Sequence, residues 1–67
     1  MPYTKPSQDR ARITEQRFLD ALNVLLESHG FQATTVDMIA DRAGLTRGAF
    51  MKRFGSKKGA LLLLFSQ

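Results

Sequence analysis

Six cations stand without an acid in residues 42–67: Arg42, Arg47, Lys52, Arg53, Lys57 and Lys58. Residues 1–41 set Lys5, Arg10, Arg12 and Arg17 against Asp9, Glu15, Asp20, Glu27, Asp37 and Asp41. The formal charge of +4 therefore divides into −2 and +6. Such segregation makes a local positive field, which suits a polyanion such as nucleic acid or an anionic membrane surface. A basic but idle face is the bland alternative. Catalytic chemistry is poorly supplied. There is no cysteine, and His29 is the lone histidine, so neither a thiol nucleophile nor a two-histidine metal site is available. With no nucleophile–base pair, the expectation is a protein without catalysis, metal or cofactor.

The densest pattern is T-T-V-D-M-I-A-D-R-A-G-L-T-R-G-A-F-M-K-R-F-G-S-K over residues 34–57. Two short helices around a glycine-containing turn have the proportions of a helix-turn-helix. Ala40 is a small residue where the helices would cross, Gly44 permits positive φ in the turn, and Leu45 would plug the core. Thr46-Arg47-Gly48-Ala49 places small and polar residues at the second helix's N-terminal end, where base edges are reached. Arg47 has the reach for a bidentate contact to guanine, a type worth about 1–3 kcal/mol of discrimination. Gly48 costs a helix about 1 kcal/mol relative to alanine, which a short helix avoids unless its backbone must approach something closely. Lys52, Arg53 and Lys57 can neutralise phosphates, and helix N-termini at Thr35, Thr46 and Ser56 offer backbone N–H groups to phosphate oxygens.

The elements that position these residues follow from periodicity and caps. At 67 residues the chain makes one domain with a marginal core, and 43% hydrophobic with 24% charged residues is ordinary for a folded protein. Residues 1–8, with both prolines, read as a flexible arm, and residues 9–67 as the domain. Ile13, Phe18, Leu22, Leu25 and Leu26 recur at helical spacing, predicting a first helix over residues 10–29, capped by Ser7 or Asp9 and ended at Gly30. Thr34-Thr35 supplies cap chemistry for a second helix over 35–42, with Asp37 in its first turn. Thr46 opens a third over 46–53, whose buried side is Ala49, Phe50 and Phe54. Gly55-Ser56 repeats the stop-and-cap signal, and a fourth helix runs from there, weakened early by Gly59. No period-2 alternation is present, so the expected fold is all-α: a small four-helix bundle with its helix-turn-helix at about 35–54.

Residues 14–31 and 34–62 together resemble the N-terminal DNA-binding domain of TetR-family transcriptional regulators, a homeodomain-like helix-turn-helix. The resemblance covers about residues 10–65 without a gap in the motif. It implies that the third helix is the recognition helix, with Arg47, Gly48, Ala49 and Lys52 facing the groove. Thr35, Thr46 and Lys57 would lie on phosphates, and Phe50 and Phe54 in the core. Met51 stands where the family usually has a DNA-contacting tyrosine, and offers an apolar contact to a thymine methyl instead. Lys58 replaces a common acid and raises the local positive charge. Family members normally continue into a helical domain for inducer binding and dimerisation. The chain is thus expected to be a fragment or a stand-alone domain, with no small-molecule inducer evident in it.

Leu61, Leu62, Leu63, Leu64 and Phe65 are consecutive and would cover every side of a helix, whereas the core accepts one side. The remainder is expected to be an exposed apolar patch that packs on a second copy or on another domain. His29 is expected to cap the end of the first helix. No signal peptide is visible and the longest apolar run, residues 60–65, is far short of a membrane span, so a soluble cytoplasmic protein is expected. The resulting expectation is a sequence-specific regulator, a repressor binding double-stranded DNA as a homodimer on an inverted repeat. The alternative is a small interaction module that binds another regulator through the leucine-rich helix and basic face. Peripheral membrane binding ranks below both, since it leaves the 34–54 pattern unexplained.

Overall fold

Four helices follow one another in a computed structural model that describes residues 6–67, with side chains from Arg10 onward. They are α1 (Pro6–Ala33), α2 (Val36–Ala43), α3 (Arg47–Phe54) and α4 (Lys57–Phe65), and no strand occurs among the described residues. The all-α expectation holds. Residues 1–5 of the expected arm, and the side chains of the candidate caps Ser7 and Asp9, lie outside the description. The helix begins at Pro6, a residue type that is readily accepted at a first helical position because its missing N–H is unpaired there anyway.

Local chemistry sets the other boundaries. The hydroxyl oxygens of Thr35, Thr46 and Ser56 accept from the N–H groups of Met38, Ala49 and Gly59 at 3.1, 3.1 and 3.0 Å. Each cap is extended, so the helix proper starts one residue later than the cap. Gly44 is left-handed at φ 72°. Its N–H donates to Asp41 O at 3.1 Å, and the Leu45 N–H donates to Ala40 O at 2.9 Å. This paired closure ends α2 and tips Leu45 onto the core. Gly30, at φ 82° and ψ 164°, interrupts the first helix where the sequence places its end, but an unexpected turn follows and continues to Ala33. The fully buried Thr34 then closes this end: its hydroxyl donates to Gly30 O at 2.7 Å, with Leu25 O at 3.4 Å.

The core gathers Phe18, Ala21, Leu22 and Leu25 of α1, Ile39 and Ala40 of α2, Phe50 of α3 and Ala60 of α4. Leu19 is also fully buried, although it lies beside the expected stripe. Both α2 and α4 pack on α1, so its apolar face must be wider than one line of residues. Ile13, expected in that stripe, is instead 59% exposed. Five residues before Phe18, at about 100° per residue, it points some 140° away from the core face. Three aromatic rings then lock α3 to α1. Phe18 meets Phe50 edge-on at 5.3 Å and Phe54 edge-on at 5.7 Å, while Phe50 and Phe54 lie 4.9 Å apart.

Candidate nucleic-acid interface

With Phe50 buried and Phe54 half-buried against α1, helical geometry leaves one strip of α3 facing outward. Arg47, Gly48, Met51 and Lys52 form this strip, and all four are exposed. Met51 is 39% exposed, so its side chain points outward. Ala49 is half-buried and packs against the core, so its methyl serves the α3 underside first. An ideal Cβ built on Gly48 meets no atom within 4 Å. Nothing in the fold therefore demands glycine there. Ala49, Lys52 and Arg53 line a shallow depression along the flank of this helix.

The first turns of α2 and α3 meet through their side chains, with Arg47 Nε 3.8 Å from Asp37 Oδ1. Both side chains are largely exposed, 67% and 73%, so the pair adds little to stability. Thr35 and Thr46, the caps of α2 and α3, are both exposed. Their hydroxyl oxygens accept from the backbone, which leaves each hydroxyl proton available to an outside acceptor. Arg53, a candidate for phosphate, leans toward α1 instead. Its guanidinium lies 3.7 Å from Glu15, with both side chains about one-third exposed.

Lys57 is the most altered of the predicted site residues. Its ammonium donates to Phe31 O at 2.7 Å and to Thr34 O at 2.8 Å, and sits 4.1 Å from the centroid of the Phe31 ring. An ammonium has three donors, so two are already engaged inside the fold. The side chain ties the start of α4 to the end of α1. His29 takes no part in that closure among the described residues. Its Nδ1 pairs with Ser28 Oγ at 2.9 Å, while Thr34 serves the Gly30 carbonyl and Lys57 those of Phe31 and Thr34.

On α4 the apolar run splits in two. Leu61 and Leu64 pack against the core, so they are not free interface residues as the run of five suggested. Leu62, Leu63 and Phe65 are exposed at 58%, 37% and 73%. Spacing explains the split, since positions three apart share one helical face. No helix among the described residues is long and apolar enough to cross a membrane.

Asp37, Thr34 and Gly59 make contacts across elements that their local sequence signals do not predict. Sequence alone marks Asp37 for the helix dipole, Thr34 as a cap and Gly59 as a weak point in its helix. A Cβ on Gly59 would stand 2.7 Å from Phe54 O, so this glycine admits the carbonyl that ends α3. Its signal was its place four residues after the Gly55 stop, on the side where α3 must return.

The sequence profile described as "Bacterial regulatory proteins, tetR family" matches residues 18–63, which is well over half of the chain. Two relatives agree. An uncharacterized HTH-type transcriptional regulator, YvkB, of Bacillus subtilis strain 168 is 38% identical over 84% of this chain. The transposon Tn10 TetC protein of Escherichia coli is 32% identical over 90% of it. The chain spans 30% of the length of each of these relatives. No solved structure matches.

Proposed function

This chain belongs to the tetR family of bacterial regulatory proteins, and from that premise we propose that it is a sequence-specific DNA-binding repressor. In this proposal α3 enters the major groove. Arg47 reads guanine, Met51 offers an apolar contact, and the bare Cα of Gly48 lets the helix backbone approach the bases. Thr35, Thr46 and Lys52 supply phosphate contacts on either side, while Arg53 is turned to Glu15 of α1. Lys57 adds positive charge at the same edge while it holds α4, and its remaining donor is the part left for a phosphate. Double-stranded DNA is then the partner, and affinity falls as salt rises, since neutralised phosphates release counterions.

The observation that carries the proposal is the exposed strip of α3 with its open glycine. A glycine in a short helix costs up to about 1 kcal/mol, and the protein's own packing gives no return for it. An outside surface that the backbone must approach does. Replacement of Arg47 by alanine tests the assignment. It is expected to relax preference at one base position by a factor of about 5–150, the equivalent of 1–3 kcal/mol. Lys52→Ala is expected to weaken all sequences alike and to reduce the salt slope by about 1. If Arg47→Ala left every base preference unchanged, α3 would not be the reading helix.

A repressor acts by occupying an operator, and a pair of subunits reading two inverted half-sites is the arrangement that gives so small a domain adequate affinity. The exposed Leu62, Leu63 and Phe65 support an interface on α4, with Leu61 and Leu64 bracing it from the core side. The same edge favours the alternative of an interaction module that binds another regulator. Sedimentation at rising concentration separates them: association into a dimer supports the first, and a persistent monomer the second.

A further inference from the structure

Asp37 is an acid on an edge otherwise built of cations and hydroxyls. Its carboxylate lies 3.8 Å from Arg47, and the approach is to Nε. We propose that Asp37 is a positioning residue for base recognition: it steadies the Nε edge of Arg47 so that the two terminal nitrogens face outward as a fork. The proposal rests on Arg47 being the base-reading residue proposed above.

Guanidinium geometry makes the proposal specific. Arginine presents its donors in a rigid plane, and guanine offers O6 and N7 as a matching pair of acceptors. Among the described residues no hydrogen bond occupies the terminal nitrogens of Arg47, so the fork is free. An unrestrained arginine at an exposed helix start must be ordered on binding, which opposes affinity. A carboxylate on the neighbouring helix reduces the number of conformations to be lost. Placement fits this role better than a stabilising one. The pair is exposed, where ion pairs contribute little to folding. Residues 42–67 contain no acid, so the carboxylate has to come from another element, and α2 delivers it from its first turn. A bare carboxylate facing DNA repels phosphate. Paired with Arg47 it directs that arginine to a base instead, which lowers non-specific affinity and raises discrimination together.

The test uses the 67-residue chain and its variants Asp37→Ala, Asp37→Asn, Arg47→Ala and the double variant with alanine at both positions. Each is used to select sites from a randomised duplex pool. Each is then titrated against the wild-type selected duplex, the same duplex with the Arg47-dependent pair changed, and an unrelated duplex. Circular dichroism confirms that each variant is helical, and Asp37→Asn preserves the side-chain shape if the alanine variant is not folded. Asp37→Ala and Asp37→Asn are expected to reduce discrimination at the Arg47-dependent pair by about 5–10-fold, part of the range for one bidentate contact. Binding to the unrelated duplex is expected to tighten, because a negative charge is gone. The double variant is expected to discriminate no worse than Arg47→Ala alone. Uniformly tighter binding with discrimination intact would overturn the proposal, leaving Asp37 as a repulsive charge only. Loss of discrimination in the Asp37 variants that adds fully to that of Arg47→Ala would overturn it too. If the wild-type chain selects no motif at all, the DNA-reading function fails and takes this inference with it, an outcome distinct from the other two.

Discussion

The ring of Phe50 meets the ring of Phe18 edge-on, with centroids 5.3 Å apart and planes at 82°. That contact joins α3 to α1 and decides which side of α3 is turned away from the protein. Both rings are fully buried. Edge-on aromatic pairs add about 0.5–1.5 kcal/mol beyond the area they bury. The orientation of Arg47, Gly48, Met51 and Lys52 is thus a consequence of core packing rather than of their own preferences.

Removal of the Phe50 ring is therefore expected to be severe. Phe50→Ala should lose about 3–5 kcal/mol, the usual range for a buried aromatic truncated to alanine. In a domain this small that is most of the available stability. Thermal unfolding followed by circular dichroism checks it. A midpoint within a few degrees of wild type would mean that α3 is held by something other than this cluster.

Two glycines predict opposite responses to alanine. At Gly48 the space is open, so Gly48→Ala should stabilise the fold by about 0.5–1 kcal/mol through backbone entropy and helix preference. DNA affinity should fall, since a methyl now stands between helix and base edges. At Gly59 the new Cβ would lie 2.7 Å from Phe54 O, a backbone atom that cannot swing aside. Gly59→Ala should lower stability. Urea midpoints for both variants and an anisotropy titration for the first decide the matter. Equal affinity for Gly48→Ala and wild type would contradict the close approach.

The local devices were legible in the sequence because each depends on neighbours in the chain. Thr35, Thr46 and Ser56 act on groups three residues away, and Gly44 with Leu45 closes α2 on Ala40 and Asp41. Contacts made across long separations were not. Lys57 reaches carbonyls 26 and 23 residues earlier, so its spacing to Phe31 and Thr34 carries no periodic signal. Basic charge suggested a phosphate ligand, and the fold uses the same ammonium as a clamp. Glycine commonly ends helices, and Gly30 does interrupt α1, but the turn beyond it carries no such local signal. The buried Thr34 and the distant Lys57 close that turn. Asp37 likewise gains its meaning from a partner on the next helix.

The Lys57 clamp makes its own prediction. Lys57→Met keeps the aliphatic stem and removes both charge-assisted bonds, so stability should fall by about 1.5–3 kcal/mol. For a domain of this size that corresponds to a drop in the thermal midpoint of roughly 4–8 °C for each kcal/mol. Unfolding without DNA present reads this directly. An unchanged midpoint would mean that the ammonium serves a ligand outside the fold and not α1.

The central claim is that α3 reads DNA sequence, and the most direct measurement is selection of bound sites from a random duplex pool at about 150 mM salt, near physiological screening. Enrichment of two inverted half-sites, with one guanine lost from the motif when Arg47 becomes alanine, is the predicted result. Recovery of no motif, with binding that fades steadily as salt rises, would contradict the account and leave only a non-specific basic surface.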